Sequence, residues 1–151
     1  MSHIKFKIVT PERIVFEDTV DAVVLPTTQG EITVLPHHIP LVSLLQAGIV
    51  RIKKGDEEIP LAVSSGVIEV NKKEIVVLAD SADRADELEE EKIQRARDDA
   101  KKLMEEKRND VEGFAEATAI LERELARLKL VQQYRRHASR STPGPRPDDQ
   151  Q

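Results

Sequence analysis

Apolar and polar positions alternate along the first half of the chain, then shift to a spacing of three and four. Ile4, Phe6 and Ile8 are separated by Lys5 and Lys7. A side-chain period of two puts the three apolar groups on one face of a strand. Thr10-Pro11-Glu12 breaks the run, and Ile14 to Phe16 and Val20 to Leu25 read as further strands, the second ended by Pro26. Ile49 to Ile52 and Ile59 to Val63 flank the polar turn Lys53-Lys54-Gly55-Asp56-Glu57. Val67 to Val70 and Ile75 to Leu78 flank Asn71-Lys72-Lys73. Both pairs predict hairpins, and short strands divided by frequent turn residues predict an all-β sandwich or barrel over residues 1–84.

Beyond Arg84 the period is helical. Leu88, Ala96, Ala100, Leu103 and Met104 recur at three-to-four spacing among charges. Asp86-Glu87-Leu88-Glu89-Glu90-Glu91 reads as a solvated first turn that suits the positive end of a helix. Asn109-Asp110 interrupts, and Asn109 with Glu112 predicts a capping-box start for a second helix. Phe114, Ala117, Leu121, Leu125, Leu128 and Val131 then form one stripe. Two such helices predict an antiparallel hairpin over residues 85–138. Its seam is partly alanine, so apolar burial gives it little stability; a movable element and a fixed arm fit that pattern equally. Residues 139–151, with Pro143, Gly144, Pro145 and Pro147, have the composition of a disordered tail.

Composition narrows the function. Charged residues are 34% of the 151, aromatics 3%, and the net charge is −5. That balance argues against nucleic-acid binding, by stacking or by phosphate contact. No cysteine is present, so the fold uses neither disulfides nor thiolate metal sites. No apolar run reaches the roughly 20 residues of a membrane-spanning helix, and the N-terminal residues have neither signal-peptide nor transit-peptide character. The chain is expected to stay in the compartment where it is made, without direct membrane insertion. His37 and His38 lack the spacing of a metal site. Nucleophile elbows and phosphate-cradling loops are missing too, so the residues point away from an enzyme, with no cofactor and no metal. The end of the chain is basic: Arg123, Arg127, Lys129, Arg135, Arg136 and Arg140 stand against Glu124 alone. This is either a solvated face or one built for acidic protein or phosphate.

Thr27-Thr28-Gln29-Gly30-Glu31-Ile32-Thr33-Val34-Leu35-Pro36-His37-His38-Ile39-Pro40-Leu41 resembles a motif of the epsilon subunit family of rotary ATP synthases. The resemblance extends back to Thr10–Phe16, forward through Val67–Val70 and Val77–Ala82, and more loosely to about Val131. It implies an N-terminal flattened β-sandwich followed by a C-terminal antiparallel α-helical hairpin. It implies a non-catalytic subunit on the cytoplasmic face of the bacterial inner membrane, whose partners are the gamma subunit, the c-subunit ring and the alpha and beta subunits. By resemblance, Gln29, Gly30 and Glu31 meet the ring and His38 faces gamma. Arg123, Arg127, Lys129, Arg135 and Arg136 would touch the catalytic subunits when the hairpin extends and restrains ATP hydrolysis.

Thr33 stands where the family pattern often has glycine, and Ser64-Ser65-Gly66 where a glycine pair is usual. Some relatives bind ATP through an [Ile/Leu]-Asp-x-x-Arg-Ala pattern plus two arginines. Leu88, Glu89, Lys92, Arg123 and Arg127 align with that set, with Ile93 in the alanine place. Lysine lacks the planar fork of arginine and isoleucine crowds a small-residue position, so these departures argue against a nucleotide site in this chain alone. An ATP-sensing module and an unrelated sandwich-plus-hairpin adaptor are the rival readings.

Overall fold

The computed structural model describes residues 2–140, with side chains through Arg135. Ten strands come first: β1 (Ile4–Val9), β2 (Ile14–Val20), β3 (Ala22–Thr27), β4 (Gly30–Val34), β5 (Leu41–Leu45), β6 (Gly48–Lys54), β7 (Glu57–Val63), β8 (Gly66–Val70), β9 (Glu74–Ala79) and β10 (Ala82–Arg84). A 3-10 turn at Ala85–Glu87 leads into helices α1 (Glu90–Glu106) and α2 (Val111–Arg140).

The strands form one hydrogen-bonded path, β10-β7-β6-β3-β5-β8-β9-β1-β2, with β4 paired to β3. The path folds over at the single β3–β5 pair, Thr27 with Leu45. This makes two layers of a sandwich around a core that includes Phe6, Ile8, Leu25, Leu45, Ile52, Leu61, Ile68 and Ile75. Ile4, Phe6 and Ile8 all point inward, as their alternation predicts. Phe6 and Phe16 meet with ring centroids 5.8 Å apart.

Side chains join the open edges of the path. Arg84, at the end of β10, donates to the Val15 carbonyl of β2 at 3.2 Å and lies 5.9 Å above the Phe16 ring. Lys54 at the end of β6 pairs with Asp18 of β2. Beside it, Asp21 accepts the Gly55 N–H at 2.7 Å and bonds His3 at 2.6 Å.

Both predicted hairpins form. The β6–β7 turn is two residues long, Lys54 facing Glu57, with Gly55 in the left-handed region at φ 59. The β8–β9 turn is held by Asn71, whose Oδ1 accepts the N–H groups of Lys73 and Glu74 at 2.8 and 2.9 Å. Pro26 does not end a strand: it lies inside β3. It is tolerated because the β3–β6 ladder ends at Val24, two residues before the missing N–H would matter.

Helix α2 starts at Val111, one residue later than an Asn109 cap would place it. Its apolar stripe is also displaced. Phe114 and Leu125 are 39% and 45% exposed, while Ala117, Glu124, Leu128 and Val131 are buried, as are Ala126 and Leu130. The helix serves two neighbours, α1 on one side and β6 and β7 on the other, so its buried surface is broader than one stripe. In α1 the buried residues are Ile93 and Ala100, and Ile93 joins Leu128, Val131 and Leu88 in a small separate cluster. Leu88 itself precedes the helix. The helix backbone continues through Arg140, past the expected boundary at 138; the rest of the expected tail lies outside the described residues.

Gly66 is the surviving glycine of the Ser64-Ser65-Gly66 run, and its role is steric. A Cβ there would lie 2.0 Å from the Leu78 carbonyl oxygen, backbone that β9 pairing holds in place. Ser64 uses its hydroxyl instead, accepting the Ser81 N–H at 2.7 Å. Gly66→Ala is expected to lower unfolding free energy by about 3 kcal/mol, the upper range for overpacking, measured by urea denaturation. A second expectation concerns acid. The Gly55 N–H, then His3, hold the Asp21 carboxyl below its ordinary value of 3.8; Lys54, then the Thr19 N–H, do the same for Asp18. A carboxyl depressed on folding adds stability that is complete above its unfolded value and lost as pH falls through its folded one. Stability should therefore fall below about pH 4. Asp21→Asn should flatten that limb in denaturation midpoints measured across the acid range.

Candidate functional site

Three regions hold the residues that sequence reasoning singles out. The first is the tip of the β3–β4 hairpin. Thr27 faces Gly30 across a two-residue turn, and its buried hydroxyl donates to the Gly30 carbonyl at 2.5 Å and accepts the Gln29 N–H at 3.2 Å. Gly30 has φ 111, a conformation that side-chain-bearing residues avoid. The turn presents Thr28, Gln29, Gly30 and Glu31, all exposed. Glu31 is steadied by Arg51 at 3.2 Å, which also reaches Glu58 at 4.0 Å. The result is a polar knuckle whose turn is braced by the Thr27 hydroxyl.

The second region begins at the next loop. His37 takes φ 67 and its Nε2 lies 3.3 Å from the Ser2 hydroxyl. His38 Nδ1 donates to the Ile39 carbonyl at 2.7 Å. The two rings therefore engage different partners. Among the described residues no group of three or more His, Asp or Glu could hold a metal.

Adjoining that loop is a surface that sequence reasoning misses. Leu44 pairs in register with Val67, Val67 with Leu78, and Leu78 with Val9. Side chains directly opposite in a sheet share a face, so these four form an outward row across β5, β8, β9 and β1. Val42 at 73% exposure and Ile39 at 76% extend it toward His38. Outer faces of antiparallel sandwiches are normally polar, and a contiguous apolar one marks an interaction surface. The available signal is Leu41-Val42-Ser43-Leu44-Leu45, a strand with too little polar alternation for a half-solvated one.

The third region is the junction of sandwich and hairpin. Arg127 Nε donates to Asp83 of β10 at 2.7 Å, and its Nη1 donates to Glu124 at 2.9 Å. Arg123 reaches the same Glu124 oxygen at 3.3 Å. Glu124, the lone acid in the basic stretch, has a side chain only 3% exposed, which is why it needs both guanidiniums. Arg135 pairs with Glu90 of α1. Arg13, in the β1–β2 turn, binds Glu87 at 2.7 Å and holds the Glu87 carboxyl below its usual range. Lys129 is exposed; the Arg136 side chain lies outside the described residues.

Leu88, Glu89, Lys92, Ile93 and Arg127 do converge, on a cleft of about 350 Å³ that Asp83, Glu87 and Glu124 also line. Arg123 lies beyond it, lining a neighbouring depression. Lys92 is occupied by Glu89 at 3.2 Å. Four carboxylates against Lys92 and Arg127 make the cleft unfavourable for a polyanion. Among the described residues no helix is long and apolar enough to cross a membrane.

The ATP synthase delta/epsilon chain β-sandwich domain matches residues 3–85. The ATP synthase epsilon chain of Dehalococcoides mccartyi (strain CBDB1) is 44% identical over 137 residues, 91% of this chain and 98% of that relative. The ATP synthase epsilon chain of Desulforamulus reducens (strain ATCC BAA-1160 / DSM 100696 / MI-1) is 37% identical over 128 residues, 85% of this chain and 96% of the relative. Among solved structures, a chain of the Euglena gracilis mitochondrial ATP synthase, in the OSCP/F1/c-ring assembly in rotational state 1, superposes with a TM-score of 0.70. It is 20% identical and the match covers 89% of this chain and 82% of that one; at this identity the likeness is one of fold.

The cleft generates a prediction about nucleotide. With Arg127 committed to Asp83 and Glu124, titration calorimetry of the isolated chain with Mg-ATP should show no saturable site tighter than about 1 mM. A tight site would overturn this reading of the cleft, and its loss on Arg127→Ala would place it there.

Proposed function

The chain belongs to the epsilon chain family of ATP synthases, a family of non-catalytic subunits, and we propose that it couples the gamma subunit to the c-ring and restrains ATP hydrolysis through its C-terminal helices. The observation that carries the coupling half is the uncovered apolar row Leu44–Val67–Leu78–Val9 with Val42 and Ile39. Burial of such a row against gamma would be favourable at about 25 cal/mol per Å² of apolar surface. His38, at the edge of the row, offers a polar contact to the same partner. The knuckle at Gln29, Gly30 and Glu31 projects polar groups of the kind that suit the polar loops of a ring of c subunits.

The restraining half rests on the hairpin. Its separate apolar cluster is small, and its hold on the sandwich combines buried Leu130 and alanines of α2 with the Arg127–Asp83 ion pair. An extended hairpin would carry Arg123, Arg127, Lys129, Arg135 and Arg136 along one helix toward acidic surface of the alpha and beta subunits. The subunit is read as peripheral, on the cytoplasmic face of a bacterial inner membrane, in a proton-translocating complex.

Two measurements test the reading. Leu78→Asp places a charge in the middle of the apolar row. It should weaken gamma binding at least about tenfold, one such factor being 1.4 kcal/mol, while leaving the circular dichroism spectrum unchanged. Unaltered gamma affinity would remove the row from the interface. Truncation after Arg84 should raise ATP hydrolysis by the reconstituted soluble complex and leave assembly intact. Replacing Lys129, Arg135 and Arg136 together by Ala should give a few-fold part of that release, since exposed pairs contribute about 0–1 kcal/mol each. A hydrolysis rate unmoved by truncation would mean the hairpin is no brake.

A further inference from the structure

Arg127 is where the helical hairpin is tied by charge to the sandwich. Its guanidinium bridges Asp83 on β10, 2.7 Å away, and Glu124 one helical turn back, 2.9 Å away. The Arg127 and Asp83 side chains are only 21% and 20% exposed, unlike the surface pairs Lys92–Glu89 and Arg95–Glu91. Partial burial reduces screening by water and salt, so this contact differs in kind from a solvated ion pair.

The three charges divide unequally between the two domains. Glu124 and Arg127 belong to the same helix and stay together wherever α2 goes. Asp83 belongs to the sandwich. Undocking α2 breaks Arg127–Asp83 alone and leaves Arg127 half-neutralised beside Glu124. Ala126 and Leu130, on either side of Arg127 along α2, are both buried, so the ion pair sits within the packed face of the helix and supplies its directional contact. Arg13–Glu87 adds a second tie, but it reaches only the 3-10 turn ahead of α1.

We infer that the Asp83–Arg127–Glu124 cluster is a latch that sets the ratio of docked to undocked hairpin, and that docking withdraws Arg127 from the surface the restraining form would use. The inference rests on the reading of the hairpin as a movable brake. Latch and brake then compete for one guanidinium. Asp83 holds it when the hairpin is docked, and acidic groups of the catalytic subunits would hold it when the hairpin is extended. Arg123 is shared in a weaker way, through Glu124. The two states exclude each other chemically as well as sterically.

The competition makes Asp83→Asn and Arg127→Gln behave differently. Each removes the latch, but only Asp83→Asn leaves Arg127 available to the brake. The chain has no cysteine, so Lys72→Cys and Glu106→Cys, both at exposed positions, can carry spin labels on sandwich and hairpin tip. Pulsed electron resonance of the labelled full chain then reads the docked fraction. Asp83→Asn and Arg127→Gln should each lower the docked-to-undocked ratio at least about tenfold, as expected for breaking a largely buried pair. Arg127→Gln should cost more than Asp83→Asn, because it also takes a partner from the buried Glu124, and the double variant should do no more than Arg127→Gln alone, the signature of one shared contact. Multiplicative effects, or a ratio for Asp83→Asn within about twofold of the parent, would overturn the latch. Should Asp83→Asn fail to fold, Arg127→Gln reads the same contact from the helix side, and unchanged docking there overturns it too. In reconstituted complex, Asp83→Asn should inhibit hydrolysis more strongly than the parent and Arg127→Gln should not. Docking in the isolated chain tests the latch without the brake: a shifted ratio with unchanged hydrolysis keeps the latch and removes the brake.

Discussion

The burial of Glu124 constrains everything C-terminal to the sandwich. A carboxylate with a 3% exposed side chain is costly to bury without close partners, and Arg123 and Arg127 meet it at 3.3 and 2.9 Å. With Nη1 of Arg127 on Glu124, its Nε donates to Asp83 of β10. Among the described residues the helices' own cluster is small, Ile93, Leu128 and Val131 with Leu88 packed against them, and the other buried apolar positions of the hairpin are Leu130 and three alanines. The hairpin is thus held by a small core and by directional charge, while the sandwich has a large core of its own. The two domains are held by different physics and respond differently to salt and to charge substitution.

The sandwich also shows how a surface can be prepared for a partner at no cost to the core. Strands β5, β8 and β9 present apolar residues on both faces. The inner set of Leu45, Ile68 and Val77 fills the core, and the outer set of Leu44, Val67 and Leu78 is left in water. Register fixes which is which, since a slip of one residue would exchange the two sets. Gly66 pins that register by the close approach of its α-carbon to Leu78, and the Asn71 turn pins it from the other end of the same hairpin.

Much of this is legible in the residues. Strand β1 is determined by its alternation, and the β6–β7 and β8–β9 hairpins by their turn residues, because each depends on neighbours close in sequence. Strands β4 and β5 do not separate from the motif between Thr27 and Leu41, since Gly30 and the prolines interrupt the pattern there. The stripe on α2 fails at Phe114 and Leu125 because a one-stripe reading assumes one neighbour, and α2 has two. Among the site residues, Gln29, Gly30 and Glu31, singled out by resemblance, fall together at one exposed turn. The convergence of Asp83 with Arg127 is invisible in the sequence, as 44 residues separate them. Glu124 reads as a lone acid in a basic run; its placement between Arg123 and Arg127 is the available clue.

The pairing of β1 has a consequence for the order in which the chain can acquire its structure. Its first strand lies between β2 and β9, and it runs parallel to β9, with Lys5 opposite Glu74 and Val9 opposite Leu78. A growing chain therefore carries β1 and β2 as a two-stranded ribbon, too small to be stable alone, until residues 74–79 have left the ribosome. At roughly 5–20 residues per second, that interval lasts several seconds. Throughout it Phe6 and Ile8 have no interior to enter, and the edge of β1 offers unpaired backbone to any other strand. The oldest strand of the sandwich waits for one of the youngest to enclose it, which leaves the newborn chain more exposed to aggregation than the finished one.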